Sequence, residues 1–283
     1  MTAPTLNDLR GEIDRLDDQM IDLLVRRAEI AAQVAPLKAA AGAPMLRPGR
    51  EAEVLRRLVA RAGNGFDALA LARIWREIMS AALRVQGDFT VAVSAPEGAP
   101  TCWGLARGQY GINTNMIGAP GPIQAIAAVA AGKADVAIVP FPAVEEPDPW
   151  WRRLFGAGAP RVVARLPVAV GLEPKGGLAE GLAVAIMTPE PSGNDRSLIG
   201  FETEESLSRA AIARAIDGVG LTLRFSAGRG GGGTAYLAEV DGFIAADDAV
   251  LARLRKALGE GLRALAVVGA YAVPLDLAEV GKR

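Results

Sequence analysis

Arg27 and Lys38 stand eleven residues apart in the run "MIDLLVRRAEIAAQVAPLK". At 100° per residue a helix brings them within about 20° of each other on one face. Two long cationic side chains converging on one pocket suit a small dianion, because a guanidinium grips a carboxylate with two parallel hydrogen bonds and an ammonium acts as a point charge. Arg10 lies 17 residues before Arg27, about 100° round the helix and roughly 25 Å along it, so it joins that pocket only if a partner subunit supplies it. Arg50 and Glu51 fall in the first turn of a second helix, close to its free N–H groups, and Ala82 and Gln86 share a face one turn apart on a third.

This constellation holds several cations, one carboxylate and one amide, and the rest of the composition narrows what it can do. There is no histidine and one cysteine, Cys102, in 283 residues. Imidazole bases, Ser-His-Asp triads, zinc sites and an internal disulfide are therefore excluded, and no cofactor or metal is expected. A net charge of −1 offers no nucleic-acid footprint. No apolar run is long enough to span a bilayer, and "MTAPTLNDLRGE" lacks a signal-peptide layout, so the expected location is cytoplasmic. With 51% hydrophobic residues the chain can fill two or three domains.

The elements that must position these residues are legible from periodicity. Leu6, Leu9, Ile13, Leu16, Met20, Leu23, Ile30, Val34 and Leu37 recur three and four residues apart, with Arg27 in the gap, forming a heptad seam with one charged member. The helix is expected to start near Thr5 and stop at "AAAGAP", a length of roughly 55 Å. No small globule covers so long a seam alone, so a second copy is expected to do so. "RPGREAEVLRRLVARAG" gives the second helix, with Pro48 in its first turn and Gly63 past its end. "ALALARIWREIMSAALRVQG" gives the third, with Leu71, Ile74, Ile78, Ala81 and Val85 on one face.

After Gly87 the texture changes to short β-rich runs, "FTVAVSAPEG", "ADVAIVPF", "RVVARLPVAVG" and "LAVAIMT", around a helical "GPIQAIAAVAAG". Residues 88–190 read as an α/β domain. The tail, 191–283, has the order βαββαβ of a ferredoxin-like unit. Gly230 to Gly233 match no phosphate-loop spacing and read as a hairpin loop. On the residues alone two readings of the helical part stay open: a dianion pocket, or a seam arginine that snorkels or sets coiled-coil register beside solvated surface charges.

Residues 6–86 resemble the all-helical chorismate mutases, especially those fused to prephenate dehydratases, through "LNDLRGEIDRLDDQMIDLLVRRAEIAAQVAPLK", "PMLRPGREAEVLRRL" and "IWREIMSAALRVQ". The resemblance implies a three-helix mutase domain at 1–87 in an intertwined homodimer. Arg10, from the partner, and Arg27 would bind the carboxylates; Lys38 and Gln86 would meet the ether oxygen; Glu51 would hold the ring hydroxyl; Arg50 would lie near the substrate. Arg47 stands where an aspartate can occur, and Ala82 replaces a serine that contacts the substrate.

Residues 88–190 look like a shortened, periplasmic-binding-like prephenate dehydratase domain with its signatures replaced: "AVSAPEGAP" for the Gly-Pro-x-Gly opening, and Arg196-Ser197-Leu198 for Thr-Arg-Phe. Residues 191–283 are similar to an ACT domain whose Glu-Ser-Arg-Pro is replaced by "FSAGRG". The expected activity is conversion of chorismate to prephenate in aromatic amino acid (phenylalanine/tyrosine) biosynthesis, with an aromatic amino acid as candidate effector. A bifunctional mutase-dehydratase and a non-catalytic ACT-containing regulator are the alternatives.

Overall fold

The computed structural model describes residues 4–99, 101–170, 180–228 and 234–277. The chain divides into two compact units: residues 1–46 with 81–88, and residues 47–80 with 89–283. The run Gly230 to Gly233 lies outside the described residues.

The first unit is built on helix α1 (Leu6–Ala40). Thr5 caps it: its hydroxyl accepts the Asp8 N–H at 3.3 Å, and the Asp8 carboxylate accepts the Thr5 N–H at 2.9 Å. The Thr5 hydroxyl also donates to the Asp8 carboxylate at 2.6 Å, and this bond with the one from the Thr5 N–H holds Asp8 below the usual carboxylate range. None of the residues of α1 is buried. Leu6, Leu9, Ile13, Leu16, Met20 and Leu23 are all exposed, the last at 70%, so the heptad stripe lies bare in the single chain.

Helices α2 (Pro48–Ala62) and α3 (Ala68–Gln86) follow. Pro48 opens α2, where a missing N–H costs nothing, and Ala52, Leu55 and Val59 form its buried side. On α3 the buried positions are Ala72, Arg76, Met79, Ser80 and Leu83, while Ile74 and Val85 are exposed. The face expected from the apolar spacing, Leu71 to Val85, is thus not the one the chain buries. The buried face instead carries an arginine and a serine whose polar atoms find partners in the α/β part.

The second unit holds one nine-stranded sheet. Its elements are β1 (Thr90–Ser94), α4 (Trp103–Tyr110), β2 (Asn115–Ala119), α5 (Pro122–Ala130), β3 (Val136–Pro140), β4 (Arg161–Leu166), β5 (Ala169–Val170), β6 (Gly181–Ala185), β7 (Asp195–Thr203), α6 (Arg209–Asp217), β8 (Leu223–Gly228), β9 (Ala235–Asp241), α7 (Ala249–Leu258), β10 (Leu262–Ala272) and β11 (Leu275–Asp276). The order is β2-β1-β3-β6-β4-β10-β7-β9-β8, and β11 pairs with β5 separately. β1 runs parallel to β2 and β3, with α4 and α5 in the crossover connections between successive strands. From β7 to β10 the order β10-β7-β9-β8 is that of a ferredoxin-like βαββαβ unit.

The two halves of the sheet meet where β10 runs parallel to β4 through the pair Gly269 and Val162. A Cβ on Gly269 would lie 2.4 Å from the Val162 carbonyl oxygen and 2.5 Å from its Cβ. Only glycine fits so close a backbone approach. Gly269→Ala is expected to destabilise the fold by about 3 kcal/mol, read as a lowered urea midpoint; an unchanged midpoint would mean the join can widen freely.

The core also runs across this join. Ile126, Val129, Trp150, Trp151, Leu182, Leu198, Leu237 and Val268 belong to one buried cluster. Ile199, Phe201, Ile212, Ile216, Val250 and Leu254 form another beneath α6 and α7. Leu198 and Ile199 point to opposite faces, as the strand period demands, so both faces of β7 are dry. Cys102 is buried and its thiol is pushed up to about 11 by desolvation, which leaves it a packing residue. Among the described residues no helix is long and apolar enough to cross a membrane.

Candidate functional site

Five of the expected site residues fall in the first unit: Arg10, Arg27, Lys38, Ala82 and Gln86. Along α1 the only half-buried positions are Gly11, Arg27, Ala31, Ala35 and Lys38. The last four follow steps of four, four and three, so they form one stripe that begins and ends on a cation. Small alanines between the cations leave room above the helix surface. Burial lowers the Arg27 pKa, the mark of a guanidinium partly stripped of water. Arg10 is exposed on the same helix, and the continuous α1 keeps it about 25 Å from Arg27 within one chain.

Lys38 Nζ donates to the Met45 carbonyl at 2.9 Å, which turns the ammonium back against the chain leaving α1. Gln86 Nε2 donates to the Ala82 carbonyl at 2.9 Å, one turn earlier, and Gln86 Oε1 is buried with no hydrogen-bond partner. A buried amide oxygen left unsatisfied is costly.

Arg47, Arg50 and Glu51 fall in the second unit. Arg50 is exposed and pairs with Glu53 at 2.9 Å. Arg47 is exposed and grips Glu190 with two bonds of 2.9 and 2.7 Å. Glu51 is mostly buried, and its Oε2 accepts from Arg76 Nη1 at 2.7 Å. Arg76 also donates to the Gln109 carbonyl through Nε and Nη2, at 3.2 and 2.9 Å. The Tyr110 phenol is pushed up by burial and by the Glu51 charge, partly offset by Arg76.

Sequence reasoning passed over Arg76, although the signal was present: with Ala72, Met79, Ser80 and Leu83 it forms a helical stripe with one charged member, the same pattern that singled out Arg27. What the spacing could not supply was its partner, a carbonyl at the end of α4.

The helical segment thus gathers two half-buried cations on one stripe of α1 and an amide donor on α3. Residues 9–87 match the chorismate mutase type II family. A 4-amino-4-deoxychorismate mutase from Streptomyces venezuelae is 33% identical over 82 residues, which cover 29% of this chain and 80% of that protein. The chain belongs to the chorismate mutase type II family.

A bifunctional chorismate mutase/prephenate dehydratase from Stutzerimonas stutzeri is 39% identical over 101 residues, 34% of this chain. The match spans little more than a quarter, 28%, of that relative's length. Among solved structures, a prephenate dehydratase from Streptococcus mutans covers 65% of this chain and 98% of its own, at 14% identity and a TM-score of 0.42.

Proposed function

We propose that the helical part, residues 1–87, converts chorismate to prephenate by an intramolecular [3,3] rearrangement. The observation that carries this reading is the stripe Arg27, Ala31, Ala35, Lys38, half-buried on a helix exposed at every other position but Gly11. The reaction needs no proton transfer and no covalent intermediate, so a chain without histidine loses nothing. Arginine forks bind carboxylates bidentately, and holding both carboxylates selects the compact chair in which the bonding carbons meet. As the C–O bond breaks, negative charge grows on the ether oxygen, where Lys38 and Gln86 donate. By the family resemblance Glu51 is assigned to the ring hydroxyl, and Arg50, Arg47 and Ala82 to substrate binding.

The working form in this reading is a homodimer. The bare stripe from Leu6 to Leu37 is the surface a second copy covers, and the partner's α1 brings an Arg10 to the pocket. Residues 88–190 are read as a non-catalytic dehydratase-like remnant and residues 191–283 as an ACT-like domain. The side chains standing in place of Thr-Arg-Phe serve the fold: Ser197 Oγ donates to the Gly242 carbonyl at 2.9 Å and accepts the Ile244 N–H at 2.8 Å, while Arg196 pairs with Glu239.

The test follows chorismate loss by the purified chain and assays phenylpyruvate before and after brief acidification, which dehydrates prephenate chemically. Chorismate loss with phenylpyruvate only after acid is expected. Phenylpyruvate beforehand would mean a live dehydratase, and no chorismate loss would refute the mutase. Phenylalanine or tyrosine added to the same assay is expected to slow turnover if the ACT-like domain takes an aromatic effector.

A further inference from the structure

We propose that Arg56 is a positioning residue of the mutase, fastening helix α2 to the loop in front of β7, so that the module after residue 88 acts as a scaffold for part of the mutase site. The proposal rests on the mutase reading above, because α2 carries Arg50 and Glu51, which that reading sets against the substrate.

The geometry is a two-armed clamp. Arg56 Nη1 donates to the Ser192 carbonyl at 2.8 Å and to Ser192 Oγ at 3.1 Å. Its Nη2 donates to the Asn194 carbonyl at 2.9 Å and to the Val273 carbonyl at 3.3 Å. One side chain thus gathers backbone from both ends of the ferredoxin-like unit, ahead of β7 and after β10. A planar guanidinium can do this because its donors point in fixed, divergent directions; a lysine ammonium is a point donor and cannot span the same three carbonyls.

The receiving loop is itself rigid. Asp195 is buried, and its carboxylate accepts the Ser192 N–H at 2.8 Å, the Ser192 hydroxyl at 2.6 Å and the Gly193 N–H at 3.1 Å. Charge-assisted bonds of this kind fix the carbonyls that Arg56 meets. The approach is close as well: a Cβ on Gly49, in the first turn of α2, would lie 3.2 Å from the Glu190 carbonyl oxygen. The first turn, where Arg50 and Glu51 sit, is therefore held against the same segment that Arg56 grips further along the helix.

A helix so fastened has fewer orientations to lose when substrate binds, and preorganisation of this kind raises affinity. The test uses the full chain with Arg56→Ala, Arg56→Lys, Asp195→Asn and the Arg56→Ala/Asp195→Asn double variant, assayed for chorismate turnover well below their unfolding temperatures. Arg56→Ala is expected to raise KM roughly tenfold with kcat changed much less, the pattern of lost ground-state positioning. Arg56→Lys should fall between it and the parent. Asp195→Asn should shift KM the same way, and the double variant should be no worse than Arg56→Ala alone, since both act through one contact.

A folded Arg56→Ala chain with the parent's KM and kcat, and only a lower unfolding temperature, would overturn the proposal by reducing Arg56 to a stabilising contact. If the parent chain turns over no chorismate, the mutase reading fails separately. Hydrogen exchange then judges the clamp: Arg56→Ala should speed exchange about tenfold in residues 48–62 over α6 and α7, and uniform acceleration would refute it.

Discussion

Lys38→Ala is expected to lower kcat/KM for chorismate by about 10²–10³-fold, the usual effect of removing one preorganised donor from a developing oxyanion. The Lys38 ammonium is held at the end of the half-buried stripe, against the Met45 carbonyl, so its loss removes a positive charge from the pocket without opening the core. Arg27→Ala should cost a comparable factor, because the proposed mechanism gives its half-buried guanidinium the role of carboxylate grip. Helicity by circular dichroism should be unchanged in both. Turnover within a few-fold of the parent by both variants would remove the catalytic assignment of this stripe.

The same variants test the shared pocket. Arg10 and Lys38 are on one helix but too far apart to serve one site within a chain, so in the proposed dimer each site would take Lys38 from one subunit and Arg10 from the other. Inactive Arg10→Ala and Lys38→Ala proteins, unfolded together and refolded as a mixture, should regain roughly a quarter of the parent activity, since half the dimers would be mixed and each would hold one intact site. A mixture that stays inactive would refute a site shared between two subunits, and an Arg10→Ala protein with the parent's turnover would place Arg10 outside the pocket.

Glu239→Ala is the substitution expected to harm the fold most, by about 3–5 kcal/mol. The Glu239 side chain is 2% exposed on β9 and pairs with Arg165 at 2.9 Å and Arg196 at 3.1 Å; its Oε1 also accepts from the Tyr271 hydroxyl. These partners come from β4, β7 and β10, on both sides of the Gly269 join. Removing the carboxylate takes from two largely buried guanidiniums their shared partner, leaving Arg165 with Glu180 and Arg196 with Asp241, whereas Glu239→Gln keeps an acceptor and should cost less. A urea midpoint for Glu239→Ala within the parent's error would show that the cluster contributes nothing.

Burial raises the Glu239 pKa despite the opposing pull of Arg165 and Arg196. A group whose folded pKa lies above its unfolded value makes the native state take up its proton first. Its contribution therefore favours the fold as the pH falls from the raised value toward the ordinary carboxylate range, and Glu239→Gln should lose that dependence. Asp8 and Asp241, both lowered, act in the opposite direction.

The sequence by itself determined the bounds and the charged stripe of α1, because a Thr5 cap, a Gly42 and Pro44 stop and a three-four apolar period all act within a few residues of the positions they govern. It also determined most strands, whose buried runs such as "VAIVP" are locally continuous. It did not reveal β2, an edge strand reading "NMIGA" with neither alternation nor a continuous apolar run, nor α4 before it. Only the tertiary structure decided which face of α3 is buried, since Ile74 and Val85 are as apolar as Met79 and Leu83 and the choice depends on what lies opposite. Only it assigned Arg56 and Arg76, whose partners lie 136 and 33 residues away. Only it joined β4 to β10, because a glycine in a strand announces that a neighbour can come close but not which backbone will.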